Sequence, residues 1–138
     1  MFKISTRIRY AVRALVRLSV LSEGKEMVSL KEISRYEGIP VKYLENIMQF
    51  LKKNKIVSSS KGPGGGYKLN ADIDELSLFD IVKAFEGDIY LVDCCSDTYE
   101  CPKKDDCPAF NAWYEMTEVL KNRMKSIKLK DLVNNLKN

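Results

Sequence analysis

Cys95, Cys101 and Cys107 follow one another with five residues between each pair, and a fourth thiol, Cys94, adjoins the first. Thiolates are the usual protein ligands of iron-sulfur clusters, so the chemistry these residues suggest is cluster binding. Structural zinc is a rival, but its sites favour close cysteine pairs with two to four residues between them, and this spacing is wider. Two disulfides would suit a secreted chain. The N-terminus lacks the charged, apolar and small-residue order of a signal peptide, so a cytoplasmic, reducing setting is expected instead. Cys94 and Cys95 could simply continue the apolar run Ile89-Tyr90-Leu91-Val92 as small hydrophobes. Cys101 and Cys107 have no such role, because Glu100, Pro102, Asp105, Asp106 and Pro108 surround them with polar chain.

The loop follows a part of the chain with a different electrostatic character. Residues 1 to 22 carry Lys3, Arg7, Arg9, Arg13 and Arg17 without an acid, and residues 40 to 70 set six lysines against Glu45 alone. Residues 71 to 107 then hold eleven acids. Segregation of this kind leaves the first half as the surface for a polyanion, although each basic run alone reads better as solvated surface. No run of about 18 apolar residues appears, so no membrane partner is expected.

The elements that would position these groups follow from periodicity and caps. A helix is predicted from Thr6 to Leu21, with Tyr10, Ala14, Leu15, Leu18 and Leu21 inward and Arg9, Arg13 and Arg17 on the opposite ridge. Ser29 and Glu32 have capping-box spacing for a short helix that ends before Gly38. Gly38 then supplies a tight turn and Pro40 suits the first turn of the next helix, Val41 to Asn54. That spacing is helix-turn-helix, with Leu44, Ile47, Met48 and Leu51 for the core and Lys42, Tyr43, Glu45, Asn46 and Gln49 outside. Residues 56 to 60, the glycine-rich 61 to 66 and 67 to 69 read as strand, loop and strand, a wing flanked by Lys61 and Lys68. The loop is no nucleotide-binding loop, because Tyr67-Lys68-Leu69 continues as strand where a Gly-Lys-Ser or Gly-Lys-Thr opening a helix would be required. Ser77 and Asp80 box the next helix to Glu86, with Leu76 and Ile81 as a staple and Gly87 as terminator. After the cysteine loop, Trp113, Met116, Leu120, Met124 and Ile127 stripe a long helix from Pro108 to Ile127.

Arg9-Tyr10-Ala11-Val12, Tyr43-Leu44-Glu45, Gly62-Pro63-Gly64-Gly65-Gly66-Tyr67, the spaced cysteines and Leu132-Val133-Asn134-Asn135 make nearly the whole chain resemble a known family. These are the winged-helix iron-sulfur regulators of the IscR and NsrR type. The resemblance implies that Tyr43 and Glu45 are recognition-helix contacts, with Glu45 able to accept from a cytosine amino group, and that the wing probes the minor groove. Added to the basic residues, the expected DNA-binding set is Arg9, Lys42, Tyr43, Glu45, Gln49, Lys52 and Lys53, joined by the wing residues Lys61, Gly64, Gly65 and Tyr67. The family's pattern also favours pairing of the long helix with its copy, hence a homodimer on an imperfect palindrome.

At the metal site the chain departs from that family. A histidine ligand three residues after the last cysteine, implied by the IscR branch, is here Phe110, and the chain contains no histidine. The aspartate ligand implied by the NsrR branch falls on Arg9, and the first acid is Glu23. The fourth ligand then comes from Cys94, from a carboxylate among Asp93, Asp97, Glu100, Asp105 and Asp106, from a backbone or hydroxyl group, from water, or from a small thiol. A local acid or Cys94 is preferred, and a 2Fe-2S cluster is favoured over 4Fe-4S.

The expectation is a mainly α fold with a small β-hairpin wing, a winged helix-turn-helix plus a long C-terminal dimerisation helix. Residues 1–75 form the DNA-binding domain and residues 76–138 the cluster loop and dimerisation helices, as one compact unit with the first. The function expected is a cytoplasmic DNA-binding regulator, a repressor in output, sensing cluster status, redox state or nitric oxide. The alternatives are a cluster-free thiol-redox or zinc-containing regulator and, from another class, a small iron-sulfur electron carrier. Catalysis has no support, since there is no histidine, no activated serine and no convincing carboxylate pair.

Overall fold

Helix α1 (Thr6–Leu21) starts where Ser5, in extended conformation, turns its hydroxyl onto the Ile8 amide and so satisfies one of the free N–H groups of the first turn. The computed structural model describes residues 3–96 and 98–137. The buried face of α1 is Ile8, Ala11, Ala14, Leu15, Val16 and Leu18, so it lies to one side of the expected face and leaves Tyr10 and Leu21 half-exposed. Helix α2 (Leu30–Glu37) is capped by Ser29, whose hydroxyl accepts from the Glu32 amide at 3.2 Å. The expected return bond of the box is replaced by an ion pair, because the Glu32 carboxylate meets Lys25 Nζ at 2.9 Å.

Gly38 ends α2 in the left-handed region at φ 68°, where a side chain would clash with its own backbone. Pro40 sits at the cap of α3 (Val41–Lys53) rather than inside its first turn. Leu44, Ile47, Met48 and Leu51 are all fully buried, as their spacing requires. Strands β1 (Val57–Ser60) and β2 (Gly66–Leu69) pair antiparallel, Val57 opposite Leu69 and Ser60 opposite Gly66. Val28 adds a single bridge to Tyr67, with amide-to-carbonyl bonds of 2.9 and 2.8 Å in the two directions.

Helix α4 (Leu78–Glu86) carries the full Ser77/Asp80 capping box. A single 3-10 turn holds Asp93–Cys95, and α5 spans Phe110–Ser126. Helix α5 starts at Phe110, two residues after Pro108, and its N-cap, Ala109, offers no side-chain hydrogen bond. Its apolar stripe divides. Met124 is buried and Leu120 and Ile127 are half-buried, but Trp113 and Met116 are 40% and 52% exposed. Thr117 takes the inward position in place of Met116: its hydroxyl donates to the Trp113 carbonyl at 2.8 Å and accepts from the Leu91 amide at 3.3 Å.

A last helix, α6 (Leu129–Lys137), was not apparent from periodicity. It packs on α1 and buries Leu129 and Val133. The chain accordingly clusters into one unit of residues 4–76 with 128–137 and another of residues 77–127. This differs from the expected division at residue 75, because Leu129 and Val133 need an apolar face and α1 offers one. Backbone bonds from Leu129 to the Leu76 carbonyl and from Lys130 to that of Ile73 hold the returning segment.

Candidate functional site

Burial of four residues on one side of α3 turns Lys42, Tyr43, Glu45, Asn46, Gln49, Lys52 and Lys53 outward, all exposed. Gln49 Nε2 and Glu45 Oε1 stand at 3.5 Å, a loose pairing that leaves both free to meet another partner. Asn46, Gln49, Phe50, Lys52 and Lys53 line a shallow hollow on this face. Arg7 stacks over the Phe50 ring at 4.6 Å, which holds a cation at its edge.

Tyr43 is held from behind. Its ring meets Tyr10 of α1 edge-on at 5.6 Å and 86°, and the Arg13 guanidinium lies 5.3 Å from the Tyr10 ring. Arg13 is fixed in turn by Glu37, through Nε to Oε1 at 3.1 Å and through Nη2 to the backbone carbonyl. The other Glu37 oxygen receives Arg17 Nε at 2.6 Å. The basic ridge of α1 is therefore not uniform: Arg13 and Arg17 are engaged with an acid, whereas Arg9 is exposed and donates to the Thr6 hydroxyl at 2.9 Å.

The wing stands beside this face through Tyr67. Burial, and after it the Glu45 carboxylate, pushes the Tyr67 phenol above its ordinary pKa, so the hydroxyl stays protonated beside a recognition-helix acid. Lys61 and Gly64 are exposed at the tip and Gly65 is half-buried. Gly65 and Gly66 admit no side chain: a Cβ would lie 2.3 Å from the Ser60 oxygen at the first and 2.3 Å from the Val28 oxygen at the second. All the expected DNA-binding residues of α3 and the wing thus belong to one unit. Asn46, Phe50, Glu37 and Tyr10 were not among the expected site residues. An arginine every fourth position on α1 opposite an acid at the end of α2 was the available signal for Glu37.

The four thiols are free and half-buried, none in a disulfide. Cys94 and Cys95 lie in the 3-10 turn, where the Cys95 amide donates to the Val92 carbonyl at 2.9 Å. Cys101 and Cys107 lie in the succeeding turns. Partial burial raises the Cys94 thiol above its ordinary pKa, with Cys95 and Cys101 adding to the effect. Of the candidate carboxylates, Asp93, Glu100, Asp105 and Asp106 are exposed, and Asp97 lies outside the described residues. Phe110 stacks on Tyr114 at 6.1 Å with Lys104 over its ring, an aromatic packing role where the related pattern has a ligand.

Among the described residues no three cysteine or acidic side chains converge closely enough to hold a metal ion. The donor set nevertheless fits an iron-sulfur cluster in its chemistry, since soft thiolates free of disulfides occupy turns that closure can rearrange. No helix among the described residues is long and apolar enough to cross a membrane.

Comparison with known proteins agrees with this architecture. The profile of the Rrf2 family, described as an iron-dependent transcriptional regulator, matches residues 4–135. The HTH-type transcriptional regulator IscR of Klebsiella pneumoniae (strain 342) is 33% identical over 133 residues, which cover 96% of this chain and 80% of that protein. Among solved structures, CymR (YrzC), the global cysteine regulator of B. subtilis, superposes with a TM-score of 0.79 at 28% identity over 98% of each chain. T. potens IscR gives 0.74 at 25% identity over 98% of this chain and 88% of its own. Among the described residues, the six α-helices and two-stranded hairpin are the winged helix-turn-helix of these regulators, and the chain belongs to the Rrf2 family of transcriptional regulators, proteins that bind DNA and are not enzymes.

Proposed function

We propose that this chain is a cytoplasmic, homodimeric repressor that reads an imperfect palindrome with α3 and the wing and senses iron-sulfur cluster status, redox state or nitric oxide through the loop bearing Cys95, Cys101 and Cys107. The observation that carries the DNA-binding half is the single exposed face of α3, polar and basic, with Tyr67 of the wing beside Glu45. On it, Arg9, Lys42, Lys52, Lys53 and Lys61 meet phosphates, Tyr43, Glu45 and Gln49 meet bases, and Gly64 and Gly65 let the wing backbone approach the minor groove. The two-fold partner covers the exposed side of α5, where Leu91, Ala112, Met116, Val119 and Leu120 line an open apolar groove.

Cys95, Cys101 and Cys107 would hold a 2Fe-2S cluster, with Cys94 or a nearby carboxylate as the fourth ligand. Such a cluster supplies a centre whose stability depends on iron supply and oxidation, more so with an oxygen ligand, which holds iron less firmly than thiolate. Cys94, in the same 3-10 turn as Cys95, is the soft donor among the fourth-ligand candidates. Four half-buried thiols free of disulfides support a second reading, a cluster-free thiol switch, and the fold likeness to a global cysteine regulator agrees with it.

Iron and acid-labile sulfide on protein purified without oxygen, compared with Cys101→Ala, separate the two readings. Near-stoichiometric iron and sulfide that vanish in the variant support the cluster; zinc or no metal after reconstitution leaves the thiol or zinc regulator. The DNA reading has its own test. Charge reversal at Lys52, Lys53 and Lys61 weakens binding across sequences and flattens its salt dependence, whereas Glu45→Ala changes base preference with the salt slope retained. Equal effects of both variants on both properties would overturn the assignment.

A further inference from the structure

Within the unit of residues 77–127, a pocket of about 400 Å³ opens between α4, the turn after it, the cysteine loop and α5. That volume lies in the range of roughly 300–1,000 Å³ in which small molecules are held. Its charge runs against its surroundings. Residues 71 to 107 hold eleven acids and three bases, yet the pocket gathers Lys83 of α4 and Lys121 of α5 around one acid, Asp88.

Lys121 is the more informative of the two lysines. Its side chain is only 17% exposed, and Nζ reaches Asp88 Oδ1 at 3.8 Å, too far for a hydrogen bond. An ammonium withdrawn this far from water gains from a closer anion. Phe79, on the pocket wall, holds Lys125 Nζ at 4.7 Å and Lys83 Nζ at 5.7 Å from its ring centre, so the ring keeps positive charge beside the opening. Ile89, buried, supplies a second apolar surface. The remaining polar group is the hydroxyl side chain of Thr98, which comes from the segment between Cys95 and Cys101.

We propose that this pocket binds a small organic anion, with carboxylate or phosphate oxygens between Lys83 and Lys121, its carbon body against Phe79 and Ile89, and Thr98 tying occupancy to the cysteine loop. Asp88 adds a preference for a ligand that also carries a hydroxyl or ammonium donor, since its carboxylate can accept from it. The binding site does not depend on which of the two sensing readings is correct. It gives the regulator a second input, because a ligand that holds Thr98 restricts the turns from which the thiols must act.

The test is calorimetric titration of the purified full chain with malate and, separately, with inorganic phosphate at physiological ionic strength. The expected result is saturable binding of one of the two probes at one site per chain, weakened by about tenfold or more in Lys121→Gln and Lys83→Gln. The probe that binds identifies the recognised group as carboxylate or phosphate. Lys31→Gln, on the exposed side of α2, is expected to leave that binding unchanged. Lys83 is exposed, so its variant keeps the test sound where loss of the Lys121 pair affects folding. Hydrogen exchange of the amides of residues 98 to 101 is expected to slow at saturation. No saturable binding of either probe, or equal weakening by Lys31→Gln, overturns the site. Unchanged exchange at saturation overturns the link to the loop.

Discussion

Glu37 does the work of two counter-ions at the junction of α1 and α2. Its side chain is 11% exposed and takes Arg17, 17% exposed, on one oxygen and Arg13 on the other. Removing a charge from such a partly buried pair leaves the partner uncompensated, so Glu37→Gln is expected to lower stability by about 1–3 kcal/mol, read from urea unfolding. Arg17→Met combined with Glu37→Gln is then expected to cost less than the sum of the two single changes. Because Arg13 also stands over Tyr10, and Tyr10 against Tyr43, Glu37→Gln should loosen Tyr43 as well. Tyr67 belongs to the same scale. A phenol whose folded pKa is raised above the ordinary 10.0 gives stability that is complete below that value and is lost as pH rises through the higher folded one. Urea unfolding from pH 8 upward is expected to show a steeper alkaline decline for the wild type than for Tyr67→Phe, and identical declines would remove Tyr67 from the account.

The wing is where single atoms decide an element. Gly66 lies at φ 148° with the Val28 carbonyl in the place of a Cβ, whereas Gly64 at φ 76° has open space around it. Gly66→Ala is therefore expected to cost about 2–4 kcal/mol by displacing the Val28–Tyr67 bridge, and Gly64→Ala about 1 kcal/mol from backbone strain alone. Thermal melts of the two variants check the ranking. That a wing exists was legible from a glycine run between two short apolar stretches, but the bridge from Val28 was not, since nothing local to residue 28 announces a strand. The same contrast separates the helices. Helices α1 to α4 announce themselves by serine or proline at the start, by glycine directly after the stop in α2 and α4, and by apolar positions at a 3.6 period. Helix α6 is nine residues long and is held by an apolar face contributed from the other end of the chain, so its order comes from long-range packing that local pattern does not carry. In α5, the inward Thr117 and outward Met116 reverse what hydropathy implies, because a buried hydroxyl with two hydrogen bonds satisfies the Leu91 amide as no methionine could. The cysteine types and spacing were readable for the same reason that their closure is not: identity is local, whereas bringing turns together depends on what they bind.

At the scale of the whole molecule, the exposed apolar side of α5 is large for a helix left to water, with Met116 52% and Val119 68% exposed beside Leu91 and Leu120. Met116→Glu together with Val119→Glu is expected to shift the protein to monomer in sedimentation and to weaken operator binding by about 100-fold or more, since each half-site is then bound alone. A dimeric variant with unchanged affinity would place the subunit contact elsewhere. Charge segregation along the chain was legible and points the first half to DNA, but the chain order misleads about assembly. Residues 128–137 complete the winged-helix unit, and the Leu129 amide bonds the Leu76 carbonyl at 2.8 Å. Residues 77–127 are thus, in topological terms, an insertion into a winged-helix module whose two cut ends already touch. Excising residues 77–127 and closing the gap with a short glycine-serine linker should yield a minimal winged helix that folds by itself, while truncation after residue 75 should not. A module with that property can exchange one sensor for another without redesign of the surface that meets DNA.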